Sequence, residues 1–575
     1  MATRTLSGII IQPGLMIGKA RKIAPQNWII SRVKIGKKEV KAELESLQTA
    51  IATAEHELQQ QLQNFTGDDD DKEILSSHLM ILNDPELIST IRQQITAGLV
   101  SAAASVQRAF ETVLDHFSGL DDLFFAQRAA DFRDVQNRLL GELTGSRAAS
   151  LDGWEPDQIA VLEEAGPSLV SSFGRHEVKA YCSEQGSFTS HASILTRSLK
   201  ITAVSGLSGL YASVRDGDVL ILDGIEGRLI IAPDHATLKL YEQRVQKYRQ
   251  QCEQALSEAG LPAQTQDGRR IKLRLNLDLL PELEELNRLK ADGVGLYRTE
   301  FLYLGKDALP GEEHQFETYR QIARLAAPHS VTIRTFDLGG DKLSHLIPSP
   351  HEENPYLGNR GIRFSLAHEE VFRVQVRAVL RASAFGRLKL MFPMVSDLRD
   401  FLRARRIVQS CQEELAREGL PYDDNIPLGV MIEVPSAALC ADDFAQNCDF
   451  LSIGTNDLVQ YTLAADRNNS ELSPYYLTHH PSVLRLLRIT LAAGQKHGKP
   501  VSVCGEMASQ SEYLPLLVGL GFSDLSVGPS AWLGCKSIIR RCDARLSELV
   551  QNADLDSFGE IENLIHDLLK PYYSL

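Results

Sequence analysis

Eight short apolar runs alternate with helical segments between residues 263 and 575, and this alternation is the feature that most restricts the fold. Strands separated by helices favour parallel pairing, because each return to the same edge of a sheet needs a crossover connection. Eight such units over this length are typical of a (β/α)8 barrel. The runs assigned to barrel strands are Lys272–Asp278, Val294–Glu300, Val331–Leu338, Leu388–Val395, Leu428–Val434, Phe450–Gly454, Val501–Gly505 and Leu525–Val527.

Charged and polar side chains gather at the ends of these predicted strands. Chemistry in such barrels lies at the C-terminal strand ends, so these residues should meet at one face. Arginine matches carboxylate and phosphate oxygens with a planar fork, and Mg²⁺ prefers carboxylates and substrate oxygens. One such arginine alone is most often a surface ion pair. Together they favour a site for a small, multiply anionic ligand with a divalent metal. The residues are Arg298, Arg334, Arg360, Glu433, Asn456, Asp457 and Arg467.

Cys504 also lies at a predicted strand end, beside Gly505 and Glu506. A lone cysteine in a strand is usually a small buried apolar residue. Its place at the expected catalytic face favours the alternative, in which the thiol meets the ligand. Composition alone does not decide between the two roles.

The rest of the chain divides by pattern. Residues 1–24 and 146–232 both have the character of short strands and turns, so we expect them to form one α/β domain. Residues 25–145 have apolar residues at three- and four-residue spacing, which is typical of packed helices. Residues 233–262 are polar and helical and predict a linker helix. The expected fold is a multidomain α/β protein with an inserted helical bundle and a barrel at residues 263–575.

Charge and composition argue against several partners. The net charge of −15 disfavours nucleic-acid binding, which needs clustered Lys and Arg. The longest apolar runs, such as residues 388–395, are too short for membrane insertion, and three apolar residues before Gln12 do not resemble a signal peptide. The eight cysteines are scattered without metal-finger spacing. We therefore expect free thiols in a reducing compartment and a cytoplasmic protein.

The segment 186–193 follows a predicted strand and opens a helix predicted near Ser190. Thr189 or Ser190 can cap that helix, which leaves His191 in the first turn, where backbone N–H groups favour a phosphoryl group. A neutral imidazole nitrogen can accept phosphorus at neutral pH, so His191 is a candidate covalent nucleophile. On local grounds alone, a structural histidine fits the segment equally well.

Longer motifs carry a family resemblance along nearly the whole chain. They are TSHASILTRSL, GVGLYRTEFLY, IRTFDLGGDK, ENPYLGNRGIR, LRASAFGRLKLMFPM, IEVPSA, SIGTNDLVQYTLAADR and CGEMA, with SSHLMILNDPEL and RAADFRDVQNRLL in the helical segment. With these motifs the chain resembles Enzyme I of the bacterial phosphotransferase system, the phosphoenolpyruvate–protein phosphotransferase family. The resemblance implies a phosphohistidine α/β domain, a helical docking domain and a barrel that binds phosphoenolpyruvate and forms a homodimer. Related dikinases carry an added ATP-binding domain, for which 575 residues leave no room.

The resemblance also implies roles for single residues. His191 would be the phosphohistidine intermediate, and Cys504 would be the acid that protonates the enolpyruvate carbon. Glu433 and Asp457 would hold Mg²⁺. Phosphoenolpyruvate would be bound by Arg298, Arg334, Arg360, Asn456, Asp457 and Arg467. The phosphocarrier HPr would dock around His78, Met80 and Arg128.

The sequence departs from the family pattern around His191, while the barrel residues named above all match. Ser187 and Phe188 stand where the family has a glycine and a polar or basic residue, Thr202 replaces the proline of SLxLPA, and residues 164–168 replace DLTPS. A glycine lets backbone approach a phosphate closely. Two hypotheses therefore stay open: an enzyme that relays phosphoryl through His191 to an HPr-type carrier in sugar uptake, and a regulatory paralogue with little or no phosphotransfer.

Overall fold

The computed structural model describes residues 3–23, 30, 33–64, 78–118, 123–144, 151, 153–186, 191–278, 280–303, 309–337, 347, 352–467 and 470–573. These residues form two compact units, Met1–Gln250 and Gln251–Leu575. The first unit combines an α/β sheet domain with a helical bundle, and the second is a barrel. None of the helices in the described ranges is both long and apolar enough to cross a lipid bilayer.

An eight-stranded mixed sheet forms the α/β part of the first unit. Its strands are β1 Arg4–Ser7, β2 Ile9–Gln12, β3 Leu15–Lys22, β4 Gln158–Glu164, β5 Ala180–Gln185, β6 Thr202–Ser205, β7 Val219–Asp223 and β8 Arg228–Ile231. They lie in the order β1-β8-β7-β3-β4-β5-β6-β2. Strand β3 joins the N-terminal segment to the strands that follow the helical bundle. It pairs antiparallel with β7 and parallel with β4. The sequence predicted strands in this part of the chain at Ile159–Leu162, Lys179–Cys182, Val219–Asp223 and Leu229–Ile231, but not β6.

The helical bundle is inserted between β3 and β4. Its helices are Val40–Asn64, Pro85–Thr96, Ala102–Ser118 and Leu123–Thr144. Their apolar faces form a separate core that includes Leu58, Phe110 and Leu140, as the three- and four-residue spacing predicted. Shorter helices follow in the α/β part at Pro167–Arg175, His191–Ser198 and Leu210–Ser213.

The predicted linker contains the helix His235–Ser257. In the first unit, Tyr241 Oη donates to Asp223 Oδ2 at 3.0 Å, and Arg244 Nη1 lies 3.1 Å from the same oxygen. In the second unit, just beyond the helix, Lys536 Nζ donates to the carbonyl oxygen of Ala259 at 2.5 Å. The two ends of the linker are therefore fixed to different units.

The second unit is a closed parallel barrel. Its strands are β9 Lys272–Leu277, β10 Val294–Tyr297, β11 Ser330–Arg334, β12 Arg387–Phe392, β13 Leu428–Ile432, β14 Phe450–Ile453, β15 Val501–Val503 and β16 Asp524–Val527. Neighbours in sequence pair in order, and β16 pairs with β9 to close the ring. The predicted fold class is confirmed, although most barrel strands end a few residues earlier than the sequence indicated.

Helices surround the barrel. They are Glu284–Leu289, Glu312–Ala326, Ile362–Ala367, Glu369–Ser383, Leu398–Glu418, Pro435–Leu439, Ala441–Asn447, Thr455–Leu463, Pro481–His497, Leu514–Leu520, Pro529–Arg541, Ala544–Asn552, Phe558–Asn563 and Lys570–Tyr573. The longest shows how the sequence sets its ends. Asp397 caps it by accepting from the Arg399 N–H, a contact worth about 1 kcal/mol, and Gly419 ends it at φ 70°. Phe401 and Leu415 lie on its buried face.

Candidate active site

Three carboxylates meet at the C-terminal face of the barrel. Asp337 follows β11, Glu433 follows β13, and Asp457 lies in the first turn of the helix after β14. All three are buried, and one oxygen of each lies within 4.8 Å of the others. Hard divalent cations take oxygen ligands of this kind. The family resemblance implied Glu433 and Asp457 as metal ligands, and Asp337 lies beside them.

The environment of Glu433 fits a bound cation. Burial raises the pKa of the Glu433 carboxyl, and the neighbouring Asp457 and Asp337 charges raise it further. The Met394 N–H donates to Glu433 Oε1 at 2.6 Å, and a Cβ added at Gly454 would lie 2.8 Å from Oε2. Close packing of repelling carboxylates is costly unless positive charge lies near them, and the Arg334 charge offsets only part of the rise in the Glu433 pKa. The residues present therefore suit a divalent metal.

Two buried arginines bind these carboxylates. Arg334 Nη2 donates to Glu300 Oε1 at 2.8 Å, and Arg334 Nη1 lies 3.3 Å from Asp337. Arg360 binds both oxygens of Asp337, at 3.2 and 2.8 Å, and its Nη1 lies 3.3 Å from Asp457 Oδ1. Burial disfavours the charged form of Arg360, but Asp337 and Asp457 outweigh that effect and raise its pKa. Both arginines remain charged and fixed.

Two further arginines stand at the rim of the same face. Both oxygens of Asp278 accept from Arg298 Nη1, at 2.9 and 3.2 Å. Arg467 Nη1 lies 4.0 Å from Asp457 Oδ2. About a third of each arginine side chain is exposed, 33% and 36% respectively. The four arginines named from the sequence thus converge on one face, with two buried and two accessible from solvent.

Cys504 and Asn456 complete the predicted barrel set. Burial raises the pKa of the Cys504 thiol to about 11, so the thiol is protonated at neutral pH and can give up a proton. The charges of Glu433 and Arg334 also act on that pKa, which places the thiol within electrostatic range of the site. Asn456 Oδ1 accepts from the Glu506 N–H at 2.8 Å, which joins the ends of β14 and β15.

The sequence of the chain matches three models of one protein family. Residues 252–544 match the PEP-binding domain of PEP-utilising enzymes, residues 7–128 match their N-terminal domain, and residues 154–227 match their mobile domain. The chain belongs to the PEP-utilising enzyme family.

Relatives within the PEP-utilising family match the chain over its whole length. The phosphoenolpyruvate-protein phosphotransferase of Listeria monocytogenes is 37% identical over 553 residues, which is 96% of this chain and 96% of the relative. The protein of that name from Bacillus subtilis is 36% identical over 94% of this chain and 95% of its own. The Geobacillus stearothermophilus relative is 35% identical over 100% and 99%. The family expected from the sequence motifs is therefore confirmed.

Several polar residues of the PEP-utilising barrel were not assigned roles from sequence. Asp278 and Glu300 each bind one of the predicted arginines. Tyr461 Oη accepts from Arg360 Nη1 at 3.0 Å. Asp278 and Glu300 end predicted strands, so their position was a usable signal. Tyr461 lies within a helix, where sequence alone gives no reason to point it at the site.

The residues His191–Ser198 are helical, in agreement with the helix predicted near Ser190. The His191 side chain and residues 187–190 lie outside the described residues. Its helix belongs to the first unit, whereas the arginine and carboxylate site belongs to the second. The role of His191 as the phosphoryl carrier stays a prediction.

The predicted docking residues differ in exposure. Met80 is 60% exposed. His78 is buried in the helical bundle, where its Nδ1 lies 3.8 Å from Asp134 Oδ2. Arg128 belongs to the helix Leu123–Thr144, but its side chain lies outside the described residues. A buried imidazole offers no surface to a partner, so Met80 is the described side chain of this set that a carrier could contact.

Proposed function

We propose that this chain is a phosphoenolpyruvate–protein phosphotransferase. It takes the phosphoryl group of phosphoenolpyruvate onto His191 and passes it to an HPr-type phosphocarrier in sugar uptake. One observation carries the proposal: four arginines and three carboxylates converge at the C-terminal face of a PEP-utilising barrel. Full-length relatives bear the name of this activity, and they do not favour the regulatory alternative.

Glu433 and Asp457 would hold Mg²⁺, with Asp337 as a neighbouring carboxylate. The oxygen donors and their close approach suit that ion. Mg²⁺ at this position would neutralise charge on the phosphoryl oxygens during transfer. Arg360 pairs with both Asp337 and Asp457, so these carboxylates would share their charge between the arginine and the ion.

The chain's own residues then have distinct tasks. Arg334 and Arg360 are buried and held by neighbouring carboxylates, so they would orient the anionic groups of phosphoenolpyruvate, with Arg298 and Arg467 at the rim. Phosphoryl transfer depends mainly on such positioning and charge neutralisation. Once the phosphoryl group has left, the protonated thiol of Cys504 supplies a proton to the enolpyruvate carbon, which yields pyruvate.

His191 must move between a donor and an acceptor. Its helix belongs to the first unit and the donor site to the second, so we propose that the α/β domain swings on the linker. The contacts of Arg244 with Asp223 and of Ala259 with Lys536 support a hinge between residues 244 and 259. The carrier would dock on the helical bundle near Met80, and the barrel would form the homodimer in the cytoplasm.

The test is phosphorylation with labelled phosphoenolpyruvate and Mg²⁺. We expect an acid-labile, base-stable phosphoprotein in the wild type and no label in His191→Ala. Transfer of the label to a panel of purified HPr-like proteins, with release of pyruvate, then identifies the acceptor. A wild-type chain that binds phosphoenolpyruvate but takes no label would support the regulatory alternative and refute the proposal. Labelling from ATP instead would indicate a dikinase.

A further inference from the structure

The thiol of Cys504 ends a chain of hydrogen bonds inside the barrel. Ser502 Oγ donates to Ser452 Oγ at 2.9 Å, and Ser452 Oγ donates to Cys504 Sγ at 3.2 Å. Cys504 Sγ in turn donates to the carbonyl oxygen of Ile453 at 3.5 Å. The two hydroxyls therefore donate toward the sulfur, and the thiol passes the chain on to a backbone carbonyl.

Strand geometry places these groups together. Strands β14 and β15 pair in parallel with Ser452 opposite Ser502, and Cys504 follows two residues later on the same side of its strand. Ser452 is 1% exposed, and the thiol packs in a cluster with Met431 and Phe450. A hydroxyl in such surroundings needs a partner, and the sulfur is the acceptor that it has.

We propose that Ser452 is a positioning residue for proton transfer at Cys504, and that its hydroxyl stabilises the thiolate left after the enolpyruvate carbon is protonated. The inference rests on the proposed function. In the step, the S–H bond of Cys504 breaks and a C–H bond forms at C3 with the electron pair of the enolate. The thiolate later regains a proton from water. Hydrogen bonds to charged acceptors are about twice as strong as those to neutral ones, so Ser452 favours the product of the transfer.

The charges around the thiol agree with this role. Burial raises the pKa of Cys504 and the Glu433 carboxyl raises it further, whereas the Ser452 hydrogen bond and the charges of Arg334 and Arg298 lower it. The hydroxyl therefore offsets part of the burial effect and makes the thiol a better acid.

The test follows exchange of the pyruvate methyl protons in D₂O by NMR, with the full chain and Mg²⁺, across a pH series. Exchange is the reverse of proton donation and requires the thiolate, so its rate rises with pH toward the pKa of Cys504. Ser452→Ala removes a donor to the thiolate, so this pKa rises and the profile moves to higher pH. We expect exchange about tenfold slower near neutral pH, which corresponds to about one pKa unit. Ser452→Thr keeps the hydroxyl and should restore the wild-type profile.

Ser526→Ala is the matched control. It removes an equally buried hydroxyl from the barrel interior, one that donates to Asn276 Oδ1 at 2.6 Å. Asn276 in turn donates to the backbone carbonyl of Cys504 at 2.9 Å and not to its sulfur, so Ser526→Ala should leave the pH profile of exchange in place. Labelling of His191 from phosphoenolpyruvate reports whether each variant is folded. If Ser452→Ala does not fold, Ser502→Ala, which loosens the Ser452 hydroxyl, should show a smaller shift in the same direction.

The outcomes separate the inference from the proposed function. The role of Ser452 is overturned if a folded Ser452→Ala keeps the wild-type pH profile of exchange, or if Ser526→Ala shifts that profile equally. The proposed phosphotransferase activity stands in both cases. If the wild-type chain is labelled on His191 but does not exchange the methyl protons of pyruvate, Cys504 is not the proton donor and the inference fails with it. A wild-type chain that takes no label overturns the proposed function itself.

Discussion

Replacement of Gly454 by alanine tests whether Glu433 is a metal ligand. Gly454 connects β14 to the helix that carries Asp457, at φ −90° and ψ 86°, which alanine can adopt. The new Cβ would lie 2.8 Å from Glu433 Oε2, against 3.4 Å for an ordinary contact. The carboxylate, which is held at its other oxygen by the Met394 N–H, must then move by about 0.6 Å.

A shift of this size exceeds the roughly 0.2 Å over which metal–ligand distances vary. We therefore expect Gly454→Ala to weaken Mg²⁺ binding by about 10- to 100-fold, the usual effect of disturbing the support of a metal ligand, or about 1.4 to 2.8 kcal/mol. The assay is phosphoenolpyruvate-dependent labelling of His191 over a Mg²⁺ series. The half-saturating concentration should rise, and excess Mg²⁺ should restore most of the labelling.

Gly528→Ala is the control for this experiment. Gly528 also connects a barrel strand to a helix, at φ −63° and ψ 150°, and no described atom lies within 4 Å of its added Cβ. It should keep the wild-type Mg²⁺ dependence. Overpacking at residue 454 should also lower the free energy of unfolding by about 1 to 3 kcal/mol. An unchanged Mg²⁺ requirement in a destabilised Gly454→Ala would refute the assignment of Glu433.

Two further substitutions test the other parts of the site. Cys504→Ala should still be labelled on His191, but it should release pyruvate about 10²- to 10⁴-fold more slowly, because general acid catalysis is lost. An equal loss of labelling and of pyruvate release would contradict a separate proton donor. Arg360→Lys keeps the charge but loses the paired contact with Asp337. The lost charge-assisted hydrogen bonding is worth about 2 kcal/mol, so kcat/KM for phosphoenolpyruvate should fall about 30-fold or more. A change below threefold in steady-state assays would show that the fork geometry is not used.

The barrel could be predicted because its signal is local. Each strand is a short apolar run, and the strand-end rule groups residues that are distant in sequence. The strand ends were less predictable. The run Val331–Leu338 was assigned as one strand, but β11 stops at Arg334. Beyond it, the Phe336 N–H donates to Gln375 Oε1 at 3.1 Å, and the Asp337 N–H donates to Glu300 Oε1 at 2.7 Å. Side chains far away in sequence therefore end the strand.

The residues of the site also divide into those that local sequence predicts and those that depend on distant contacts. Residue types at strand ends indicated an anion and metal site, and the family motifs assigned Glu433 and Asp457. Asp337 lies in the predicted strand Val331–Leu338, so its place near a strand end was visible in the sequence. Its pairing with Arg360, 23 residues later, was not. Strand β6 was missed because only two of its four residues, Ala203 and Val204, are apolar. It owes its pairing to β5 and β2, which lie elsewhere in the chain.

The closure of the barrel has a consequence for biosynthesis. Strand β9 can be hydrogen-bonded on both edges only when β16 exists, and their contact is reinforced by Arg274 and Asp524, which lie 250 residues apart. A ribosome must therefore release almost the entire second unit before its first strand is enclosed. Until then two sheet edges stay open to other chains. We expect nascent or truncated chains that end before Asp524 to aggregate and to depend on chaperones, whereas the first unit can fold as soon as it emerges.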